Sequence, residues 1–314
     1  MLNIVLRRLG MAVPILFGVT VIIFLLMTVL PGDPAAAFLS EDASAAERAA
    51  VRAELGLDDP LPVRYMDWLS DAVRGDLGYS PHRRAEVTTL LGAAWGNTVI
   101  LAAYSAVFGL VGGVAAGFVA GVRRGKLTDR LISVFSLVGL SVPSFFLAIV
   151  MLIVFAARLR WLPSGGTGLD QDQVTFFKHL TMPVIAGSLA TLGITARVTR
   201  AAIVETYAAD FVQTLRAKGL GNLSILRHVF KNAISPVLTT SGLQIGYLLG
   251  GSVLIETIFQ WPGMGMLVFN AISARDLLVV QGATLVIALT FVLVNLAVDL
   301  VQATIDPRLR RAVA

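Results

Sequence analysis

The chain has 314 residues, 56% of them hydrophobic and only 14% charged, with a mean hydropathy of +0.79. That is more apolar surface than one water-soluble core can bury, so lipid is the expected solvent. The lack of cysteine excludes disulfide frameworks, cysteine metal sites, iron–sulfur clusters and thiol nucleophiles, and the net charge of +5 sits at the ends of apolar runs rather than in an aromatic-lined groove for nucleic acid.

A transmembrane helix needs about 20 apolar residues to cross about 30 Å of hydrocarbon. In chain order the first such run is 9–30, preceded by Arg7 and Arg8. It is too long for the apolar region of a secretory signal, although Ala35-Ala36-Ala37 offers small residues, so a retained anchor after a short cytoplasmic N-terminus is expected over 1–30. Residues 31–96 follow as an extracytoplasmic region, because acidic residues outnumber arginines there. Within it 47–56 reads as a helix stopped by Gly56, and 62–73 as an amphipathic helix. Such pieces either cap the outer face or decorate it.

The second span, 98–122, carries Gly109, Gly113, Gly117 and Gly121 at four-residue spacing, continued by Gly125, which puts them on one helix face open to close packing within the chain or between subunits. Spans at 131–157, 179–196, 235–259 and 281–303 complete an expected set of six. The one at 179–196 is the weakest, since Pro183, Gly187 and Gly193 interrupt it. Basic residues at Arg123, Arg124, Lys126 and Arg130, then from Arg197 to Lys231, and finally at Arg308, Arg310 and Arg311 mark cytoplasmic connections. The expected fold class is therefore an all-α membrane protein of six transmembrane helices with both termini cytoplasmic, a cytoplasmic loop at 197–234 and a tail at 304–314.

No catalytic constellation accompanies these spans. His82, His179 and His228 show no metal-ligand spacing, and no nucleophile elbow occurs. A phosphate-binding loop around Gly125-Lys126 would need glycine at Ala120 and a hydroxyl at Leu127, so this chain is expected to be no enzyme and to bind no cofactor, with ATP left to a partner. Ionisable groups in hydrocarbon are costly and often functional. Glu256, near the outer end of the fifth span, and Asp299, near the inner end of the sixth, read either as proton-relay groups or as residues at the headgroups; Asn295 and Gln244 lie deeper and read as interhelical hydrogen-bonders. A proton-coupled secondary transporter working through Glu256 or Asp299 is accordingly one reading of the chain.

The connection from Arg197 to Asn232 is too patterned for a turn. Helix formers run from Ala201 to Lys218, Gly219 follows as a stop, and a second helix starts from a cap at Ser224. This is a helix-glycine-helix elbow, a knob that another protein can push.

Arg216-Ala217-Lys218-Gly219-Leu220, followed by Arg227-His228-Val229-Phe230-Lys231-Asn232-Ala233 and Pro236, resembles the EAA loop of binding-protein-dependent ABC importer permeases in their dipeptide/oligopeptide/nickel branch. Leu30-Pro31-Gly32-Asp33-Pro34, Gly75-Asp76-Leu77-Gly78-Tyr79-Ser80, Ser141-Val142-Pro143-Ser144-Phe145, Trp261-Pro262-Gly263-Met264-Gly265, Arg275-Asp276 with Val280-Gln281-Gly282, and Asp306-Pro307-Arg308 are similar to that branch in the same order. The chain departs from the general pattern where Glu-Ala-Ala would stand, having Gln213-Thr214-Leu215, so no glutamate role carries over. The resemblance implies a type I ABC importer permease fold with its transmembrane domain over 94–303. It also implies a second homologous permease, two ATPase subunits that hold ATP and magnesium, and an extracytoplasmic solute-binding protein. Peptide cargo is implied, with Asp210, Gln213, Arg216, Ala217, Lys218, Gly219 and Leu220 coupling to an ATPase. Ser141, Pro143, Gln244, Tyr247 and Ser252 are the polar or irregular positions expected along the translocation path.

Overall fold

The computed structural model describes residues 2–29, 35, 38–39, 43–54, 56–250 and 252–305, and among these the regular secondary structure is helical apart from one short hairpin. It divides into two compact units, one of Val99–Trp261 with Met1–Val5 and Val294–Ala314, the other of Leu6–Thr98 with Pro262–Leu293.

The second unit begins with α1 (Leu2–Val29), which runs straight through Pro14. Helix α2 (Ala45–Glu54) opens on a capping box in which Ser44 Oγ accepts from the Glu47 N–H at 3.2 Å while Glu47 Oε2 accepts from the Ser44 N–H at 2.7 Å. These bonds to Ser44 hold the Glu47 carboxyl below its ordinary range. Helix α3 (Leu61–Arg74) ends at Gly75, whose φ of +88° is the left-handed turn that a glycine accepts without strain. The hairpin pairs β1 (Tyr79–Ser80) with β2 (Ala85–Glu86), antiparallel, Tyr79 opposite Glu86.

Helix α4 (Val87–Ala106) starts well before the expected 98, because Val87, Leu91 and Ala94 are buried against Val279, Val280 and Ala283. Its Trp95 and Asn97, which look like the end of an apolar run in sequence, are satisfied locally: Trp95 Nε1 donates to Thr290 Oγ1 at 2.9 Å and Asn97 Nδ2 to the Pro262 carbonyl at 2.9 Å. A π turn at Val107–Val111 leads into α5 (Gly112–Val122).

The remaining helices are α6 (Leu127–Ser141), α7 (Ser144–Met151) with a π segment at Leu152–Arg158, α8 (Gln173–Tyr207), α9 (Asp210–Ala217), α10 (Asn222–Gly250), α11 (Val253–Ile258), α12 (Met264–Ala274) and α13 (Leu277–Ile305). Among the described residues four helical stretches are long and apolar enough to span a membrane: Arg8–Leu26, Val87–Val122, Gln173–Tyr207 and Leu277–Val301. A fifth arises only if α6 and α7, bent by 99° at Val142–Pro143, count as one crossing. The expected span 235–259 is not one helix, since it is divided between α10 and α11. The weakest expected span is the least apolar of the four, with a mean hydropathy of 1.3, yet α8 absorbs Pro183 and extends beyond 179–196 at both ends. Burial explains this: its window is 61% buried, so helix packing rather than hydropathy stabilises it.

In the first unit α8 is the central helix, packed on α5, α6 and α10. Gly109, Gly113, Gly117 and Gly121 meet it residue by residue. A Cβ on Gly113 would lie 2.7 Å from Thr195 Cβ, one on Gly121 2.7 Å from Ile203 Cβ, and one on Gly117 would collide with the Ala196 carbonyl oxygen. The stripe is thus an intrachain contact. The glycine that continues the spacing, Gly125, lies beyond α5 in a turn with φ +81° and open space around it.

One ion pair fastens the same helices. Arg200 on α8 grips Asp129 in the first turn of α6 through two bonds, Nε to Oδ1 at 2.5 Å and Nη2 to Oδ2 at 2.9 Å. Gly125 N–H adds a third donor at 2.9 Å. The Asp129 side chain is only 5% exposed while that of Arg200 keeps 36%, so removing the acid strands a half-solvated cation. Asp129→Ala is expected to lower stability by about 2–3 kcal/mol, near the low end for a broken buried pair. Chemical unfolding of the detergent-solubilised chain measures it, and a change within error of zero would refute the role.

Candidate functional site

Two places in the first unit combine sequence irregularity with polar groups. The first is the elbow after α8. The expected single helix over Ala201 to Lys218 is broken at Ala208–Ala209, and α9 restarts at Asp210. On α9 only Val212 is fully buried, at 1% exposure, where it joins Ile203, Ile225, Val229 and Ala233 in a cluster flanked by Phe211, Leu215 and Leu220. Asp210, Gln213, Arg216, Ala217 and Lys218 lie on the exposed side of this anchored helix.

Its end is a complete Schellman cap: Gly219 N–H donates to the Arg216 carbonyl at 2.9 Å and Leu220 N–H to the Leu215 carbonyl at 3.2 Å, with Gly219 at φ +77°. Arg216 also lies over the Tyr207 ring at 5.3 Å, which fixes the guanidinium against the end of α8. Helix α10 then starts at Asn222, two residues before the expected cap at Ser224, and Phe230 packs edge-on against Phe118 of α5 at 5.6 Å. Together these contacts make a short helix that cannot swing independently of α5, α8 and α10.

The second place is a cavity of about 170 Å³ where two helix breaks meet. Val142 and Pro143, between α6 and α7, line one side; Tyr247 and Ser252, by the end of α10 and start of α11, line another; Ser105 of α4 and Gly187 of α8 complete it. Pro143 has no N–H to continue the α6 ladder, and no side chain caps α7, whose first bonded amide is Leu147 N–H on the Pro143 carbonyl at 3.1 Å. Interrupted backbone of this kind is tolerated in membrane proteins where it is buried in protein or lines a polar cavity. Of the expected path residues, the structure brings Pro143, Tyr247 and Ser252 together here. Ser141 ends α6 without lining the cavity, and Gln244 is engaged elsewhere, accepting from Thr191 Oγ1 at 3.3 Å.

Glu256 is fully enclosed within the fold. Its side chain is 0% exposed, Ser252 Oγ donates to Oε1 at 2.8 Å, and it sits beside Ile255, Phe259 and Trp261 in a buried cluster. Asn295 and Asp299 are half-buried on α13 and neither lacks a partner. Among the described residues no group of histidines and carboxylates could hold a metal ion. The residues that sequence reasoning passed over are Asp129 and Ser105; Asp129 was detectable as the lone acid in the basic stretch Arg123, Arg124, Lys126, Arg130.

The motif pairs of the second unit also come together. Ser80 Oγ donates to Asp276 Oδ2, Asp276 Oδ1 accepts from Val279 N–H at the start of α13, and Gly282 lies where any side chain would strike Leu91 and Val87. Residues 75–80 and 275–282 are therefore two halves of one packed joint.

The sequence pattern described as "Binding-protein-dependent transport system inner membrane component" matches residues 113–311, and the N-terminal pattern of such transport system membrane components matches residues 1–102. A Brucella ovis protein assigned as a peptide permease is 40% identical over 317 residues, covering 99% of each chain. The glutathione transport system permease protein GsiC of Escherichia coli is 39% identical over 311 residues, again 99% of each. Among solved structures, a chain of the MetNI methionine ABC transporter in an inward-facing conformation superposes on 69% of this chain and 96% of its own, with a TM-score of 0.55 at 18% identity.

Proposed function

Since the chain belongs to the family of binding-protein-dependent transport system inner membrane components, we propose that it is the permease subunit through which an ATP-driven importer passes peptides across the inner membrane. It carries no catalytic set of its own, so ATP and magnesium are bound by two partner ATPases. A second homologous permease completes the pore and an extracytoplasmic binding protein delivers the cargo. The chain crosses the membrane six times with both termini in the cytoplasm; the bent α6–α7 pair and the broken α10–α11 pair supply the crossings that are not single long helices.

The observation that carries this reading is the anchored elbow. Helix α9 presents Asp210, Gln213, Arg216 and Lys218 outward while Val212 locks it to α8 and α10, so a push on α9 is transmitted to the helices that carry the cavity. Closure of the ATPases displaces α9, and the helices rock as rigid bodies between inward-open and outward-open arrangements. Pro143, Tyr247 and Ser252, with Ser105, line the passing cargo; Ser141 and Gln244 shape the helices behind it.

Isolation of the tagged chain from its native membrane in mild detergent tests the assembly. A second permease, P-loop ATPases and a solute-binding protein are expected to copurify, and the reconstituted set is expected to accumulate a labelled oligopeptide only with ATP. Recovery of the chain alone, with uptake driven by a proton gradient, would replace this reading with a secondary transporter.

A further inference from the structure

Helix α3 carries an apolar stripe that is exposed at Met66 and Val73 and half-buried at Leu69. At 100° per residue Pro62, Met66, Leu69 and Val73 share a sector of roughly 60°, and Met66 and Val73 are 61% and 81% exposed. The opposite flank bears Arg64, Asp67, Asp71 and Arg74. Of these Arg64, Asp67 and Asp71 line a cavity of about 650 Å³ together with Phe24 and Trp68, so the charged flank faces the cavity and the apolar stripe faces away from it.

Helix α3 is tied to α1 through Tyr65. Tyr65, between the two flanks, is 9% exposed; its hydroxyl lies 2.9 Å from Thr20 Oγ1, and its ring packs edge-on against Phe24 at 5.4 Å and Phe17 at 6.3 Å. The apolar membrane window of α1 ends at Leu26. Thr20 lies six positions earlier, about 9 Å along the helix axis. A tyrosine side chain that reaches this level sets α3 alongside the outer part of α1's apolar stretch, where α1's own Ile22, Leu25 and Leu26 are exposed.

From this geometry we propose that α3 lies in the outer membrane–water interface, with Met66, Leu69 and Val73 inserted among lipid acyl chains and Asp67 and Asp71 turned to water. Segregated apolar and charged flanks, with Tyr65 and Trp68 between them, have the pattern of an interfacial helix, whose apolar face enters the boundary by about 5–10 Å. The region after α1 is then seated on the bilayer through α3, and the cavity lined by Arg64, Asp67 and Asp71 opens beside that seat. The inference rests on the membrane location of the chain and not on its cargo.

Because the chain has no cysteine, single nitroxide labels at Met66→Cys, Val73→Cys and Asp67→Cys need no other change. The labelled chain, with its copurifying subunits, is placed in phosphatidylethanolamine and phosphatidylglycerol vesicles, and collision of each label with oxygen and with a water-soluble nickel chelate is measured. All three positions are exposed, so none of the substitutions empties the core. The expected result is a several-fold higher oxygen-to-nickel ratio at 66 and 73 than at 67. Free nickel access at all three positions would overturn the proposal in favour of a water-exposed helix. Exclusion of both reagents at 66 and 73 would overturn it in favour of a protein partner covering the stripe.

Discussion

Gly117→Ala and Gly113→Ala are each expected to cost about 3 kcal/mol of stability, at the upper end of overpacking penalties, and to abolish uptake. The reason is what stands opposite. A methyl group on Gly113 would lie 2.7 Å from Thr195 Cβ and 2.9 Å from the Leu192 carbonyl oxygen; on Gly117 it would meet the Ala196 carbonyl oxygen and Thr199 Cβ at 2.6 Å. Backbone atoms cannot rotate away, so α5 and α8 must separate, and with them the cluster that holds α9. The adjacent Gly112→Ala supplies the control, since its methyl would meet only the side chain of Leu192, at 3.3 Å from Cδ1, and no backbone atom. Thermal unfolding in detergent and uptake by reconstituted vesicles should place Gly112→Ala near wild type and the other two far below it. Equal behaviour of all three would remove the glycine face as the organiser of the first unit.

The second large effect concerns the elbow. Charge reversal at Arg216 and Lys218 together, or Gly219→Val, is expected to reduce peptide uptake at least tenfold, which corresponds to about 1.4 kcal/mol or more of lost coupling, while the chain still inserts and the ATPases still turn over. Arg216 and Lys218 lie on the exposed side of α9, so their reversal removes the Arg216 contact with the Tyr207 ring but leaves the Val212 anchor intact. Valine at Gly219 acts differently: at φ +77° a β-branched residue is strained, and relief of the strain opens the two bonds that close α9. The decisive readout is ATP hydrolysed per peptide transported, which should rise several-fold in both variants. Unchanged uptake in the charge-reversed protein would refute the coupling role of α9.

The residues differ in how far they reveal their roles before folding. Gly219 is readable as a stop because the left-handed turn after a helix is a local demand. The same holds for Gly56 and for the amphipathic pattern of α3. Helix α8 shows in sequence as a weak span at 179–196 and separate helix formers from Ala201, not as one continuous helix, since Pro183 and its hydroxyl-rich sequence lower hydropathy while tertiary contacts with α5, α6 and α10 restore the helix. The break between α8 and α9 is also invisible locally, because Ala208 and Ala209 are good helix formers. It arises where Val212 must turn into the cluster around Ile203 and Val229.

The sequence by itself determined the solvent, the helical class, the order of the apolar runs, the glycine face and the elbow, because each follows from composition or from periodicity within one segment. Tertiary structure decided which partner each segment meets: Asp129 with Arg200, the glycines with Thr195 and Ile203, Ser80 with Asp276, Tyr65 with Thr20. It also decided that Glu256 is buried under Ser252 and that Pro143, Tyr247 and Ser252 share one cavity while Ser141 and Gln244 do not. The physical reason is that these pairings join residues distant in sequence, whose interaction is settled only when packed helices exclude solvent and force every buried polar group to find a partner.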